Sequence, residues 1–385
     1  MTDREKWVWL SEALYKGSRK ASLLLSRAGS AERIYSADKS ALLSLGVSLT
    51  EKELSRLLLK DLAGAKKIIA DCEKLGIRII TRIDPEYPAR LLEIPDAPVL
   101  LYAKGLPLSV DSEAAIAIIG TRRASSHGKR AAEKISREIA GGGGVVVSGM
   151  ARGIDSIAMD CALGAHGYVI GVLGSGLDIC YPPENRSLMK RMEREGTLVS
   201  EYPPKTKPDK AHFPVRNRIV SALSLGALVI EAPQKSGALI TARAALEQNR
   251  DVFAVPSGIF ESSAEGSNEL IRDGATPVMS GWDVLSEYVR RFPKKIKLNA
   301  QENKPAVDSK LTAPAAYTLS TEFLSSHSPD EQSILQVVAK GAARADEIAA
   351  SCNMPMAKTL SLLTLLEIRG SIKQLPGSRF EIKTK

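Results

Sequence analysis

A chain of 385 residues is too long for one hydrophobic core, so two or three domains are expected. Its 44% hydrophobic and 25% charged residues are ordinary for a globular protein, and no stretch is long and apolar enough to span a bilayer. The formal net charge of +9 favours a polyanionic partner, nucleic acid before an anionic membrane surface.

The amino-terminal stretch MTDREKWVWLSEALYKG carries acids and lacks a long apolar run, which argues against a signal peptide. Residues 1–80 read as helical: LTEKELSRLLLKDLAGAKKIIADCEKLG repeats apolar positions at helical spacing, and Gly29, Gly46 and Gly76 stand where helices should stop. Such a small helical domain is SAM- or helix-hairpin-helix-like. It either offers backbone amides to DNA phosphates or only packs. A connector marked by Pro85, Pro88, Pro95 and Pro98 follows, ending in VLLYAKG.

From Ala114 apolar runs alternate with helical segments. Strands are predicted at 115–120, 145–149, 168–174, 197–202, 227–232 and 251–256, with a weaker one at 276–279. Helices are predicted to begin near His127, Ile154, Asn185, Val215, Ser236 and Asn268. This alternation specifies an α/β fold, a mainly parallel sheet covered on both faces, within a domain of residues 81–290. Residues 291–327 are basic, contain Pro and Ala and lack periodicity, as a linker does. In 328–385, three helical segments precede two strands around Pro-Gly-Ser, the winged-helix order. Its third helix, Met356 to Arg369, has only Lys358 and Arg369 as basic residues, so protein contact or a structural role stands beside DNA reading.

Loops that follow parallel strands meet at one carboxyl edge of the sheet. Here they carry Gly120-Thr121-Arg122-Arg123, then Ser148-Gly149-Met150-Ala151-Arg152-Gly153, then Gly174-Ser175-Gly176, then PPKTKPDKAHFPVRNR, and Lys235-Ser236-Gly237 with Thr241. Glycines admit close approach, helix-start amides favour anions, and guanidinium groups grip phosphate oxygens. Such an edge suits a phosphate-bearing ligand.

No GxGxxG follows the first strand, no GxxxxGK[ST] loop is present, and no GxSxG elbow occurs, so no nucleotide cofactor is expected. Cys72, Cys161, Cys180 and Cys352 form no CxxC pair and stand apart from the four histidines. They read as reduced thiols of a cytoplasmic protein, with no zinc site. Asp155, Asp178, Glu184, Glu201 and Glu231 are spread among basic loops instead of clustering as metal ligands. Asp155 reads as a helix cap and the others as groups that orient the arginines or help close loops, so binding is favoured over catalysis.

The ordered segments AIIGTRRASSHG, VVSGMARGIDSIAMDCAL, VIGVLGSGLDICYPPENRSL, LVSEYPP, HFPVRNRIVSALSLGALVIEA, KSGALITARAALEQNRDVFAVPSG and GSNELIRDGA closely resemble the DNA-processing protein A (DprA/Smf) family. The resemblance implies a Rossmann-like core and a non-enzymatic, cytoplasmic protein of natural transformation. Such proteins protect incoming single-stranded DNA, help load the RecA recombinase onto it, and form homodimers through the Rossmann-like domain. Carried onto this chain, it implies DNA contacts at Gly120, Thr121 and Arg122, at Ser148, Gly149 and Gly153, and around Phe213, Arg216, Asn217 and Arg218. Lys235, Ser236 and Gly237 join them at the same edge. Phe213 either stacks on a base or anchors its loop. The rival reading is a phosphoribohydrolase-like enzyme that releases a base from a nucleotide. It wants a catalytic Glu close behind Thr241, where this chain has Arg243 and Ala244, with Glu247 only later.

Overall fold

The computed structural model describes residues 3–297, 327–339, 343–375 and 379–382. They belong to two compact units, Met1–Leu298 and Asn299–Lys385. The larger begins with α1 (Asp3–Ala13), α2 (Arg19–Ala28), α3 (Ala31–Ser36), α4 (Lys39–Ser44), α5 (Glu51–Leu59) and α6 (Ala63–Leu75). These are short helices with local stop and start signals. Ser18, Ser30, Asp38 and Thr50 accept backbone N–H bonds at four N-termini, and Gly29 and Gly76 close α2 and α6 in the left-handed conformation.

Next come β1 (Arg78–Thr81), α7 (Ala89–Leu92), β2 (Leu100–Gly105), β3 (Ala115–Ile119), α8 (Ser126–Gly141), β4 (Val145–Ser148), α9 (Ile154–Gly164) and β5 (Val169–Leu173). They are followed by α10 (Arg186–Glu195), β6 (Thr197–Ser200), α11 (His212–Ala222), β7 (Gly226–Val229), α12 (Gly237–Glu247) and β8 (Asp251–Ala254). The unit ends with α13 (Glu265–Arg272), β9 (Thr276–Pro277) and α14 (Gly281–Ser286). The nine strands form one sheet in the order β1-β2-β6-β5-β4-β3-β7-β8-β9. From β6 through β9 every pairing is parallel, as the sequence predicts. The two strands at the other end pair antiparallel, β1 with β2 and β2 with β6; β1 stands at the end of the stretch the sequence reads as helical, and β2 at the end of the proline-marked connector.

Successive side chains of a strand point to opposite faces. Ile116 and Ile118 of β3 therefore join one core, and Ala115, Ala117 and Ile119 join another. The first core continues through Trp7, Leu10, Leu24, Ile34 and Leu57, so the amino-terminal helices share one core with the sheet. Of the expected linker, Phe292 and Ile296 are buried in that same core, while residues 298–326 lie outside the described residues.

The smaller unit comprises α15 (Pro329–Val338), β10 (Ala343–Arg344), α16 (Ala345–Ser351), α17 (Met356–Ile368), β11 (Ile372–Leu375) and β12 (Arg379–Ile382). Its sheet runs β10-β12-β11 over a core of Ile334, Leu335, Ile348, Leu363, Leu366 and Phe380. This is the winged-helix order with one extra two-residue strand. Both cations of its third helix are paired with α15, Lys358 with Asp330 at 2.5 Å and Arg369 with Glu331 at 2.8 Å.

Candidate nucleic-acid interface

Between β3 and β7 the strand order reverses, and a crevice opens outside the carboxyl ends of strands at such a switch point. A cleft of about 570 Å³ lies there. Its walls are the loop after β3 (Gly120, Thr121, Arg122, Arg123), Gly149 after β4, Tyr181, the start of α11, and the loop leading into α12 (Lys235, Ser236, Gly237). Loops separated by more than a hundred residues of sequence thus converge.

Two glycines make that convergence possible. Gly153 has a φ of +77° as it turns into α9, and a Cβ there would lie 2.4 Å from the Thr121 carbonyl oxygen. A Cβ on Gly149 would lie 2.3 Å from a guanidinium nitrogen of Arg216. The bare backbone at 149 is what lets Arg216 reach the sheet edge. Ser148 is fully buried and its hydroxyl donates to the Ile118 carbonyl at 2.6 Å. Ser148 and Gly153 therefore brace the cleft without lining it.

The first turn of α11 contains Pro214, which needs no N–H partner there. The helix consequently starts at His212, earlier than the predicted Val215, and carries Phe213, Arg216 and Asn217 at i, i+3 and i+4 on one face toward the cleft. Arg218 is turned about 200° from Arg216, at roughly 100° per residue. It is buried and paired with Glu201 at 2.6 Å, with Asp96 3.5 Å from its Nε. Its charge faces those carboxylates, and it is absent from the cleft walls.

Arg216 is buried as well, and donates to the carbonyls of Gly149 and Val172 and, at 3.1 Å, to the Asn217 side-chain oxygen. Burial pushes its pKa down to about 10 against the pull of Asp155, with Arg122 adding repulsion. Asp155 accepts the Gly149 N–H at 3.2 Å. Burial raises its pKa, opposed by Arg216 and by the backbone amides of Ala151, Gly149 and Gly120. It is the one carboxylate among the cleft walls, and Glu247, at the far end of α12, is not among them.

Arg122, Arg123, Lys210 and Lys235 line the cleft with no carboxylate partner among the described residues. Nearby cations differ: Lys205 pairs with Asp71 at 2.7 Å and Arg152 with Glu184 at 2.7 Å. Ser236 caps α12 by accepting the Ala238 N–H, so a helix N-terminus adds its partial positive charge to the same space. The arrangement is a cationic cleft of the kind that suits an anion. It also holds an aromatic pair that the sequence reading did not assign, Tyr181 stacked on Phe213 with ring centroids 5.6 Å apart. The only signal for Tyr181 was an aromatic residue in the loop after the third predicted strand. Among the described residues, no group of three or more His, Cys, Asp or Glu is placed to hold a metal ion. No helix of the described residues is long and apolar enough to cross a membrane.

The family model for DNA recombination-mediator protein A matches residues 78–289, which spans β1 to α14 and every wall of the cleft. The chain belongs to this family. A second model, the DprA winged helix domain, matches residues 314–378. Among the chain's relatives, Protein Smf of Synechocystis sp. is 37% identical over 320 residues, covering 79% of this chain and 80% of its own. DNA processing protein DprA of Bacillus subtilis is 41% identical over 225 residues, 58% of this chain and 76% of its own. The crystal structure of DprA from Streptococcus pneumoniae superposes with a TM-score of 0.66 at 34% identity, covering 74% of this chain and 98% of that one. A structure of Helicobacter pylori DNA processing protein A, described for its single-stranded DNA binding mode, superposes with a TM-score of 0.51 at 31% identity, covering 56% and 96%.

Proposed function

We propose that this chain binds single-stranded DNA in the cleft at the β3–β7 switch point and, in natural transformation, protects the incoming strand and helps load the RecA recombinase onto it. One observation carries the reading: four cations without carboxylate partners among the described residues share one cleft with a stacked aromatic pair. Phosphates supply the missing countercharge and bases suit the rings, which is how proteins hold single strands with little sequence preference. The single-strand binding of the Helicobacter pylori relative supports it.

Within this reading Arg122, Arg123, Lys210 and Lys235 hold phosphates, together with the backbone amides of Ser236 and Gly237, while Gly120, Thr121 and Gly149, whose amides already serve Asp155 and the Glu231 carbonyl, let the strand approach the cleft wall closely. Arg216, Asn217, Ser148, Gly153 and Arg218 position those groups. The protein is a cytoplasmic, non-enzymatic mediator, and the single cleft carboxylate, Asp155, serves Arg216 and loop amides. Homodimers form through the Rossmann-like domain. The test is binding of labelled single strands and matched duplex across a salt series, with recombinase loading measured alongside. Steep salt dependence with single-strand preference is expected. Equal affinity for duplex, or binding insensitive to salt, refutes the assignment.

A further inference from the structure

A nucleobase that stacks on protein needs an aromatic face not already in use, and Phe213 has little to offer. Its half-buried ring has the guanidinium carbons of Arg122 and Arg216 at 5.5 and 6.0 Å from its centroid, besides Tyr181. The backbone at Gly174 packs so close that a methyl there would lie 3.3 Å from the ring. Phe213 is the inner member of a column. Tyr181 is the outer one: its plane is 29° from that of Phe213, and 41% of the residue is exposed.

Tyr181 borders both the cleft and a small hollow of about 40 Å³ beside it, and Arg122 and Arg216 border both as well. Its ring is not needed to hold its own loop. Asn185 donates to the Met150 carbonyl at 2.8 Å, and buried Pro182 follows Tyr181 directly, so the loop after β5 is pinned to the loop after β4. A fixed loop therefore presents an exposed aromatic face beside an unpaired arginine. Preorganisation of this kind lowers the cost of ordering a flexible ligand.

We infer that Tyr181 is a stacking platform for one unpaired nucleobase, with Arg122 on the adjoining phosphate. This rests on the single-strand reading and adds to it the point where a base, not the backbone, is gripped.

The test compares a short oligothymidylate with an oligomer of the same length made of abasic deoxyribose phosphates. Affinities are read by fluorescence anisotropy at fixed salt, on variants whose melting matches the wild type. Tyr181→Ala should weaken oligothymidylate binding by about 5- to 150-fold, the range that base–aromatic stacking spans, and leave the abasic polymer within twofold. Tyr181→Trp should keep the preference for bases. Tyr181→Leu, which retains apolar bulk over Phe213 without a π face, should lose it, and serves if the alanine variant does not fold. Equal loss on both polymers, or no loss on either, overturns the platform while the single-strand reading stands. Wild-type protein that binds neither polymer overturns both.

Discussion

Arg122 and Arg218 lie within the same set of sequence motifs, yet the structure predicts opposite consequences for their removal. Arg122 is exposed, without a carboxylate partner, its guanidinium set over Phe213. Arg122→Ala should leave stability within about 0.5 kcal/mol, as surface changes do. It removes one charge-assisted contact worth about 1.5–3 kcal/mol, so single-strand affinity should fall roughly 10- to 150-fold. The slope of log affinity against log salt should flatten by about 0.7, the value for one phosphate on a single strand. Arg218→Ala instead leaves Glu201 buried beside a lost partner that sat at 2.6 Å, with side-chain exposures of 8% and 5%. Breaking such a pair costs about 3–5 kcal/mol. The lower end applies, because Nε and Nη1 of Arg218 lack hydrogen-bond partners in the intact protein and the pair is short of ideal. At about 2–4 °C per kcal/mol, about 3 kcal/mol corresponds to a Tm lowered by roughly 6–12 °C. The molecules that remain folded should keep the wild-type salt slope. Thermal melts and salt-series anisotropy on both variants decide the matter. An Arg218→Ala protein that melts like the wild type but loses salt slope would place that guanidinium on a phosphate and refute the reasoning.

Three further outcomes are expected. Gly149→Ala places a methyl against the Arg216 guanidinium, which two backbone carbonyls hold in place, so both stability, by about 1–3 kcal/mol, and single-strand affinity should fall in melts and anisotropy. Burial first, with Asp71, Asp178 and Glu73 adding, raises the Cys72 thiol to about 12, so alkylation at pH 8 followed by mass spectrometry should find Cys72 unmodified until the protein is unfolded. For Asp155, burial raises the folded pKa above the unfolded one, so the stability linked to its proton is fully present below the unfolded value and lost as pH rises through the folded value. The cost of Asp155→Asn, from denaturant titrations at a series of pH values, should therefore shrink as pH rises; a cost that grows with pH means that Arg216 and the loop amides outweigh burial.

The parallel sheet was legible because β3 to β8 are short apolar runs buried on both faces, and nothing in their neighbourhood competes with that pattern. β1 and β2 were not: Arg78-Ile-Ile-Thr directly follows a helix, and VLLYAKG ends a proline-rich stretch. Their strand character comes from pairing with each other and with β6, nearly a hundred residues later. The start of α11 was misplaced for a local reason. The sequence places its start near Val215, just after Pro214, yet a proline in a first turn breaks nothing, and Phe213 belongs to the helix.

The cleft's location was legible for the same reason as the sheet, since loops after parallel strands must share an edge. Which charges would be free there was not. PPKTKPDK reads as one basic run, but the fold separates its members: Lys205 is neutralised by Asp71 of α6, 134 residues away in sequence, whereas Lys210 faces the cleft without a carboxylate. Arg152 is likewise paired with Glu184 across two loops, while its neighbour in space, Arg122, is not. A charge count therefore overstates an anion site unless each base is followed to its partner. What distinguishes Arg122, Arg123, Lys210 and Lys235 is that neighbours such as Lys205 and Arg152 have carboxylate partners while these four, among the described residues, have none, an arrangement that costs self-repulsion in the free protein. The energetic logic then runs one way, because a polyanion entering the cleft relieves repulsion among Arg122, Arg123, Lys210 and Lys235, whereas the salt-bridged bases outside it have nothing to gain.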